Sequence, residues 1–243
     1  MFFQISIFRF ITVYIAQSLM LIFYFVISYR LLKKKSEISR KRLIFSIYYL
    51  FSLIGIVLNY IYAPIKHKVI TSLLYLITIY VIYVGTNFLA IFSIIMYFEI
   101  KDNSNTTKIQ LVYLVVFSSL YLVLFFIPDG IMINEETGWY PVVNLTFFIY
   151  CTILVTISLL VVVAYSIKTL YIFRARNENK TLITRWKIYV LGMTITITHA
   201  TIVMFVHHLD YNPLREIWSI LGGFIFITGI YLTWFGIGKK FLQ

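Results

Sequence analysis

The sequence predicts an all-α, polytopic membrane protein, a single bundle of seven transmembrane helices filling residues 1–243. Seven uncharged apolar runs occupy most of the chain: Phe10–Tyr29, Leu43–Ile65, Val69–Phe98, Ile109–Pro128, Val142–Ile167, Ile188–Val206 and Ile217–Gly238. The composition is 61% hydrophobic with 12% charged residues, whereas an ordinary soluble domain carries about 25% charge, and the mean hydropathy is +0.90. The basic residues are also distributed to one side of the runs. A helix rising 1.5 Å per residue needs about 20 apolar residues to cross a hydrocarbon core of about 30 Å, and each run reaches or nearly reaches that length. No Asp, Glu, Lys or Arg interrupts a run. That fits side chains facing lipid or a dry bundle, where a central charge costs at least about 2.5 kcal/mol. Charge-free spans also count against an ion or proton pump.

The first run is about the length of a span, has no small-residue cleavage site and carries its positive cluster on the C-terminal side, so it reads as a retained helix with its N-terminus outside rather than a cleaved signal. The second run follows Arg40-Lys41-Arg42 and ends near Pro64. Only Lys66-His67-Lys68 separates it from the third, so these two helices are antiparallel neighbours. The third run is long enough to tilt or to project from the bilayer. Between the fourth and fifth runs, Asp129–Pro141 holds Gly130, Glu135, Glu136 and Gly138; it is the largest outer feature and too short for a domain. The fifth helix is expected to continue past Ile167 and turn at Asn177–Asn179. In the seventh run Gly222, Gly229 and Gly236 recur every seven residues on one face, beside the small-xxx-small pair Ser219 and Gly223. Such residues let helix backbones approach closely in lipid, so they predict a packing seam, with a hinge or a homo-oligomer face as the alternatives.

Of 21 Lys and Arg, 17 fall on alternate connections. These are Arg30, Lys33, Lys34, Lys35, Arg40, Lys41 and Arg42; Lys101 and Lys108; Lys168, Arg174, Arg176, Lys180, Arg185 and Lys187; and Lys239 and Lys240. Arg9, Lys66, Lys68 and Arg215 are left for the other side. By the positive-inside rule the crowded face is cytoplasmic, which puts the N-terminus outside and the C-terminus inside a multi-pass protein of the cell membrane. The net charge of +12 then points to the bilayer and its anionic headgroups, at about 1 kcal/mol per basic residue near the surface, and not to nucleic acid. Trp139, Trp186, Trp218 and Trp234 all lie near the ends of runs, the depth amphipathic indoles prefer. The single cysteine, Cys151, excludes a disulfide framework and reads as a packing residue.

Intramembrane polar groups are the natural place to look for function, because burial penalises them unless they are paired. Asn59 lies toward the outer end of the second span and Asn87 near the middle of the third. His199 lies in the sixth, and His207 and His208 close that span at the outer surface. Thr194, Thr198 and Thr201 follow i, i+4, i+7 spacing and predict a polar stripe facing the bundle interior. His199 suits a hydrogen bond to a neighbouring helix, a ligand contact or a pH-sensing role; a haem would need a second axial histidine in another span. For Asn59 and Asn87 the first reading is an interhelical hydrogen bond, with a ligand contact as the alternative; the ligand-binding candidates are His199, Asn59, Asn87, Thr198 and His207, with no metal and no cofactor expected. No His-Glu-x-x-His, paired intramembrane carboxylates, Gly-x-Ser-x-Gly or phosphate-cradling Lys loop occurs, and the last span has no lysine for a retinal Schiff base, so no enzyme is expected.

Leu209-Asp210-Tyr211-Asn212-Pro213-Leu214, followed by the seventh span and Lys239-Lys240, resembles the Leu-Asp-x-x-Pro-Leu entry to the last helix in the N-terminal seven-transmembrane sensor region of bacterial and archaeal histidine kinases. Arg40-Lys41-Arg42, the short second connection, the Phe88–Tyr97 end of the third helix and the Arg-rich link before Gly192 are similar in order and spacing. Physically, Asn212 suits an N-cap and Pro213 a first helical turn. The resemblance implies a sensor; the sequence ends at Gln243 without a kinase domain, so the expected output passes to a separate cytoplasmic signalling protein. The expectation is a stand-alone sensor or receptor-like module taking a small apolar or lipid-like ligand in an outer cavity among the second, third, sixth and seventh helices. The alternatives are a small-solute transporter or channel, or a structural subunit of a membrane complex.

Overall fold

A computed structural model describes residues 10–33, 40–100 and 106–241. Seven helices long and apolar enough to cross a membrane make up nearly all of it. They are α1 (Gln17–Leu32), which continues a wider-wound stretch over Ile11–Ala16, α2 (Arg40–Tyr62), α3 (Lys68–Ile100), α4 (Thr106–Leu122), α5 (Leu145–Ala175), α6 (Lys180–Leu209) and α7 (Asn212–Phe241). Arg9, Lys34, Lys35 and Lys101 lie outside the described residues, as do the side chains of Ser219, Lys239 and Lys240.

Local chemistry ends these helices where the sequence changes. The Asn144 side chain caps α5 by accepting from Phe147 N at 2.8 Å, and Asn179 caps α6 through Thr181 N at 2.9 Å. Asn177 turns the chain with φ of 49°, and Asp210 does the same between α6 and α7, in a region that Asn and Asp tolerate better than most residues. Asn212 is already the first helical residue of α7, one position later than a cap, because Arg215 N bonds back to Tyr211 O at 3.1 Å.

The connection between α4 and α5 holds regular structure that the sequence pattern did not reveal. Ile131–Met132 (β1) pairs antiparallel with Val142–Val143 (β2), Ile131 opposite Val143. Two-residue strands are too short to show an alternating pattern. The hairpin is secured by Ile133, which is buried, and by His208 Nδ1, which donates to Val143 O at 3.1 Å.

Consecutive helices α1, α2 and α3 pack side by side, α3 continues onto α5, and α5, α6 and α7 follow in order. The turn at Ile11–Ala16 meets α7 and closes the ring, with α4 outside it against α3. α3 is the most enclosed helix; its Phe92 and Ser93 reach across to Tyr189 of α6, the hydroxyls 3.1 Å apart. At one end of the bundle, the basic end, Lys41 pairs with Glu99 at 2.6 Å, Arg40 Nη2 donates to Gln110 Oε1 at 2.5 Å and Arg176 Nη2 to Ile100 O at 2.8 Å. The hairpin marks the opposite end.

Trp186, expected near a membrane boundary, is packed inside the protein and not on its surface. It is fully buried beside α5, its Nε1 donating to Ser166 O at 2.9 Å. The reason is helix length: α5 and α6 run 31 and 30 residues, well beyond their apolar runs, so the end of a run is not the end of the packed helix. The Thr194, Thr198, Thr201 stripe also departs from expectation, because Thr198 is exposed and Thr196 is the buried threonine. A helical threonine can satisfy its hydroxyl on its own backbone, as Thr194 does on Val190 O at 2.9 Å, so hydroxyl spacing does not fix the inward face.

The inward face of α6 is fixed by glycine. A Cβ on Gly192 would collide with the backbone of Thr233 and Gly229, and one on Gly236 with the backbone of Tyr189 and Arg185. Gly229 faces Thr196 Oγ1, and Gly222 faces His199. Gly223 instead faces α1, where a Cβ would meet Ala16 and Met20 at an ordinary 3.6 Å. Two substitutions separate these roles. Gly236→Ala is expected to lower the unfolding free energy by about 1–3 kcal/mol through overpacking against fixed backbone, whereas Gly223→Ala should be neutral or raise it by up to about 1 kcal/mol through helix propensity, both read by unfolding titration in mixed detergent micelles.

Candidate functional site

At the hairpin end, a cavity of about 700 Å³ lies among α1, α2, α3, α6, α7 and the hairpin loop. The register of α6 on α7 sets one of its walls. Opposite Gly222 the seam receives His199, whose ring stacks on Trp218 at 5.5 Å and packs tilted against Phe226 at 4.7 Å. His199 makes no hydrogen bond to another residue among those described, so its polar edge remains available at the cavity wall.

On the opposite wall Asn59 of α2 donates from Nδ2 to Gln17 Oε1 of α1 at 2.8 Å. Amide pairing of this kind satisfies two polar groups inside apolar helices. His207 reaches the cavity about two helical turns above His199 and hydrogen-bonds the Tyr75 hydroxyl of α3 through Nδ1 at 2.7 Å. The floor is apolar, built from Met20, Ile56, Ile79 and Phe226.

The rim is charged. Glu135 and Glu136 of the hairpin loop, Asp210 and Glu216 line it, four of the nine acidic residues in a chain of net charge +12. Arg215 stands among them. It is only 7% exposed, its Nη2 lies 2.6 Å from Asp210 Oδ1, and its guanidinium sits 5.9 Å from the centre of the Tyr140 ring. A buried guanidinium without such a partner would be strongly unfavourable. The Nε of Arg215 and the Nε1 of Trp218 are both buried with no hydrogen-bond partner among the described residues.

The cavity thus brings together His199, Asn59 and His207, and it leaves out Asn87 and Thr198. Asn87 is fully buried between helices, where its Oδ1 accepts from Ser158 Oγ of α5 at 3.2 Å; Ser158 in turn accepts from Tyr113 of α4 at 3.4 Å. That chain ties three helices together. Thr198 points to the outside of the bundle. Gln17, Tyr75, Arg215 and Trp218 belong to the site without having been singled out. Gln17 carried a signal, as the one amide in the first run; Arg215 and Trp218 read as an ordinary flanking charge and interfacial indole. Among the described residues, no group of three His, Cys, Asp or Glu side chains could hold a metal ion. Compared with family models, curated proteins and solved structures, the chain matches none.

The Tyr75–His207 contact links α3 to α6 at the cavity wall. Tyr75→Phe is expected to lower unfolding free energy by about 0.6–1.7 kcal/mol, the range for interhelical hydrogen bonds, while Thr198→Ala changes it by less than about 0.5 kcal/mol. The same micelle titration measures both.

Proposed function

We propose that this protein is a seven-helix receptor-like module of the cell membrane that binds a small apolar or lipid-like ligand in the cavity and signals through a separate cytoplasmic partner. The outer surface of the bundle supports insertion in lipid: Leu111, Val112 and Val115 of α4 and Leu221 and Phe224 of α7 are all exposed large apolar residues, more than a water-facing surface accommodates. The orientation is N-terminus outside and C-terminus inside, with the hairpin and cavity outward and Arg40, Arg174, Arg176 and Arg185 facing the cytoplasm and its anionic headgroups. The likeness of Leu209–Leu214 to the entry of the last helix in histidine-kinase sensor regions is consistent with this reading.

The observation that carries the proposal is the cavity of about 700 Å³ shared by five of the seven helices, within the range of small-molecule sites. A ligand there touches α6 and α7 as well as α1 to α3. It shifts the bundle to the extent that it binds two helix arrangements differently. Basic loops at the other end of those helices are then the surface a cytoplasmic partner reads.

Radiolabelled decanol tests this on the protein in lipid nanodiscs, with empty nanodiscs as the background. The expected result is saturable binding near one equivalent, weakened at least about fivefold by His199→Leu, and no protein-dependent flux of ions or glycerol in reconstituted vesicles. Protein-dependent flux would replace the receptor with a transporter or channel. Absence of saturable binding would remove the ligand site.

A further inference from the structure

The cavity wall sorts ligands by headgroup. Resting on the reading of the cavity as a ligand site, we infer that its occupant is an amphiphile with an uncharged hydrogen-bond-accepting head, of the ester or amide carbonyl class, held at Arg215 and Trp218, with its apolar body on the floor below. Arg215 and Trp218 lie three residues apart on α7 and therefore on one face of that helix. Each carries a buried N–H with no partner among the described residues, Nε for Arg215, whose two Nη atoms engage Asp210 and Asn212, and Nε1 for Trp218. Arginine and tryptophan donate and never accept. Of the other polar groups deep in the site, Asn59 is matched with Gln17 and Tyr75 with His207, while His199 and the Tyr83 hydroxyl, each able both to donate and to accept, are unpaired among the described residues. What Arg215 and Trp218 lack is an acceptor.

Charge then selects among acceptors. Asp210 already neutralises Arg215, and Glu135, Glu136 and Glu216 line the same rim, so a carboxylate or phosphate head would enter a field of its own sign. An ammonium head would find attraction at the rim, but deeper in it would meet two donors with another donor and set its charge against the guanidinium. A head that takes the place of water at a polar wall must reproduce its hydrogen bonds to gain affinity. An ester or amide carbonyl does so without bringing a charge. Beneath it, Met20, Ile56, Ile79 and Phe226 accept a chain or ring.

Methyl decanoate, decylamine and decanoate share a ten-carbon body and differ at the head, and each competes against labelled decanol on the full chain in nanodiscs. Methyl decanoate is expected to bind at least about tenfold tighter than decylamine and tighter than decanoate, a difference on the scale of one buried donor left unpaired. Trp218→Phe should cut that preference over decylamine severalfold. Arg215→Gln serves as a second variant, and the head comparison on the unaltered protein stands even where either variant folds poorly. Decylamine binding as tightly as the ester, or decanoate more tightly, would overturn the inferred head while leaving the cavity a ligand site. Failure of decanol and of every competitor to bind saturably would overturn both.

Discussion

The arrangement at the hairpin end depends on how closely α6 and α7 approach at the other. Gly192, Gly229 and Gly236 bring the two backbones together where no side chain fits between them. Without a hydrophobic driving force between helices in lipid, such contact and the dispersion it gains are what hold a pair together. Once these glycines engage, the antiparallel register is fixed over the length of both helices. Residues one and two heptads along from Gly236 then face Thr196 and His199. The same glycine spacing that makes a seam at the basic end sets a histidine against a small residue at the cavity.

From that register the composition of the site follows. His199 stands between Trp218 and Phe226 because those residues lie one turn either side of Gly222. Asp210, in the two-residue link between α6 and α7, pairs with Arg215 at the start of α7. The remaining walls come from the α1–α2–α3 side, joined by Gln17 to Asn59 and by Ser18 to Tyr60, whose oxygens lie 2.6 Å apart. Few direct contacts connect α1 with α7 beyond the wide turn at Ile11–Ala16. The two halves of the ring are thus each internally well bonded and meet at the cavity, the place where a bound molecule has most leverage over their relative position.

The architecture was legible because its signals are long and additive. Seven runs near 20 residues need no pairing information, and each corresponds to one helix long and apolar enough to cross a membrane. Positions of individual helix faces were less legible. The heptad of glycines in the seventh run announced a seam, but its counterpart Gly192 is a single residue with no period of its own. His199, Asn59 and His207 were visible as polar groups inside apolar runs; Asn87 carried the same signal and instead joins helices through Ser158. Thr198 misled because hydroxyls bond to their own backbone. Arg215 and Trp218 lay just where flanking charges and interfacial indoles belong, so nothing in their sequence context distinguished an anchor from a cavity wall.

The register of α6 on α7 is tested most directly by intramolecular disulfide formation in a Cys151→Ser background. Thr196 Oγ1 lies 2.8 Å from where a Cβ on Gly229 would stand, so Thr196→Cys with Gly229→Cys places the two β-carbons near the separation of about 3.5–4.5 Å that a disulfide requires. Thr196→Cys with Gly236→Cys moves one partner about 10.5 Å along the helix. The seam described above predicts that mild copper-phenanthroline oxidation cross-links the first pair in the monomer, as read by mass spectrometry, and leaves the second reduced. Cross-linking of the second pair in preference to the first would contradict it.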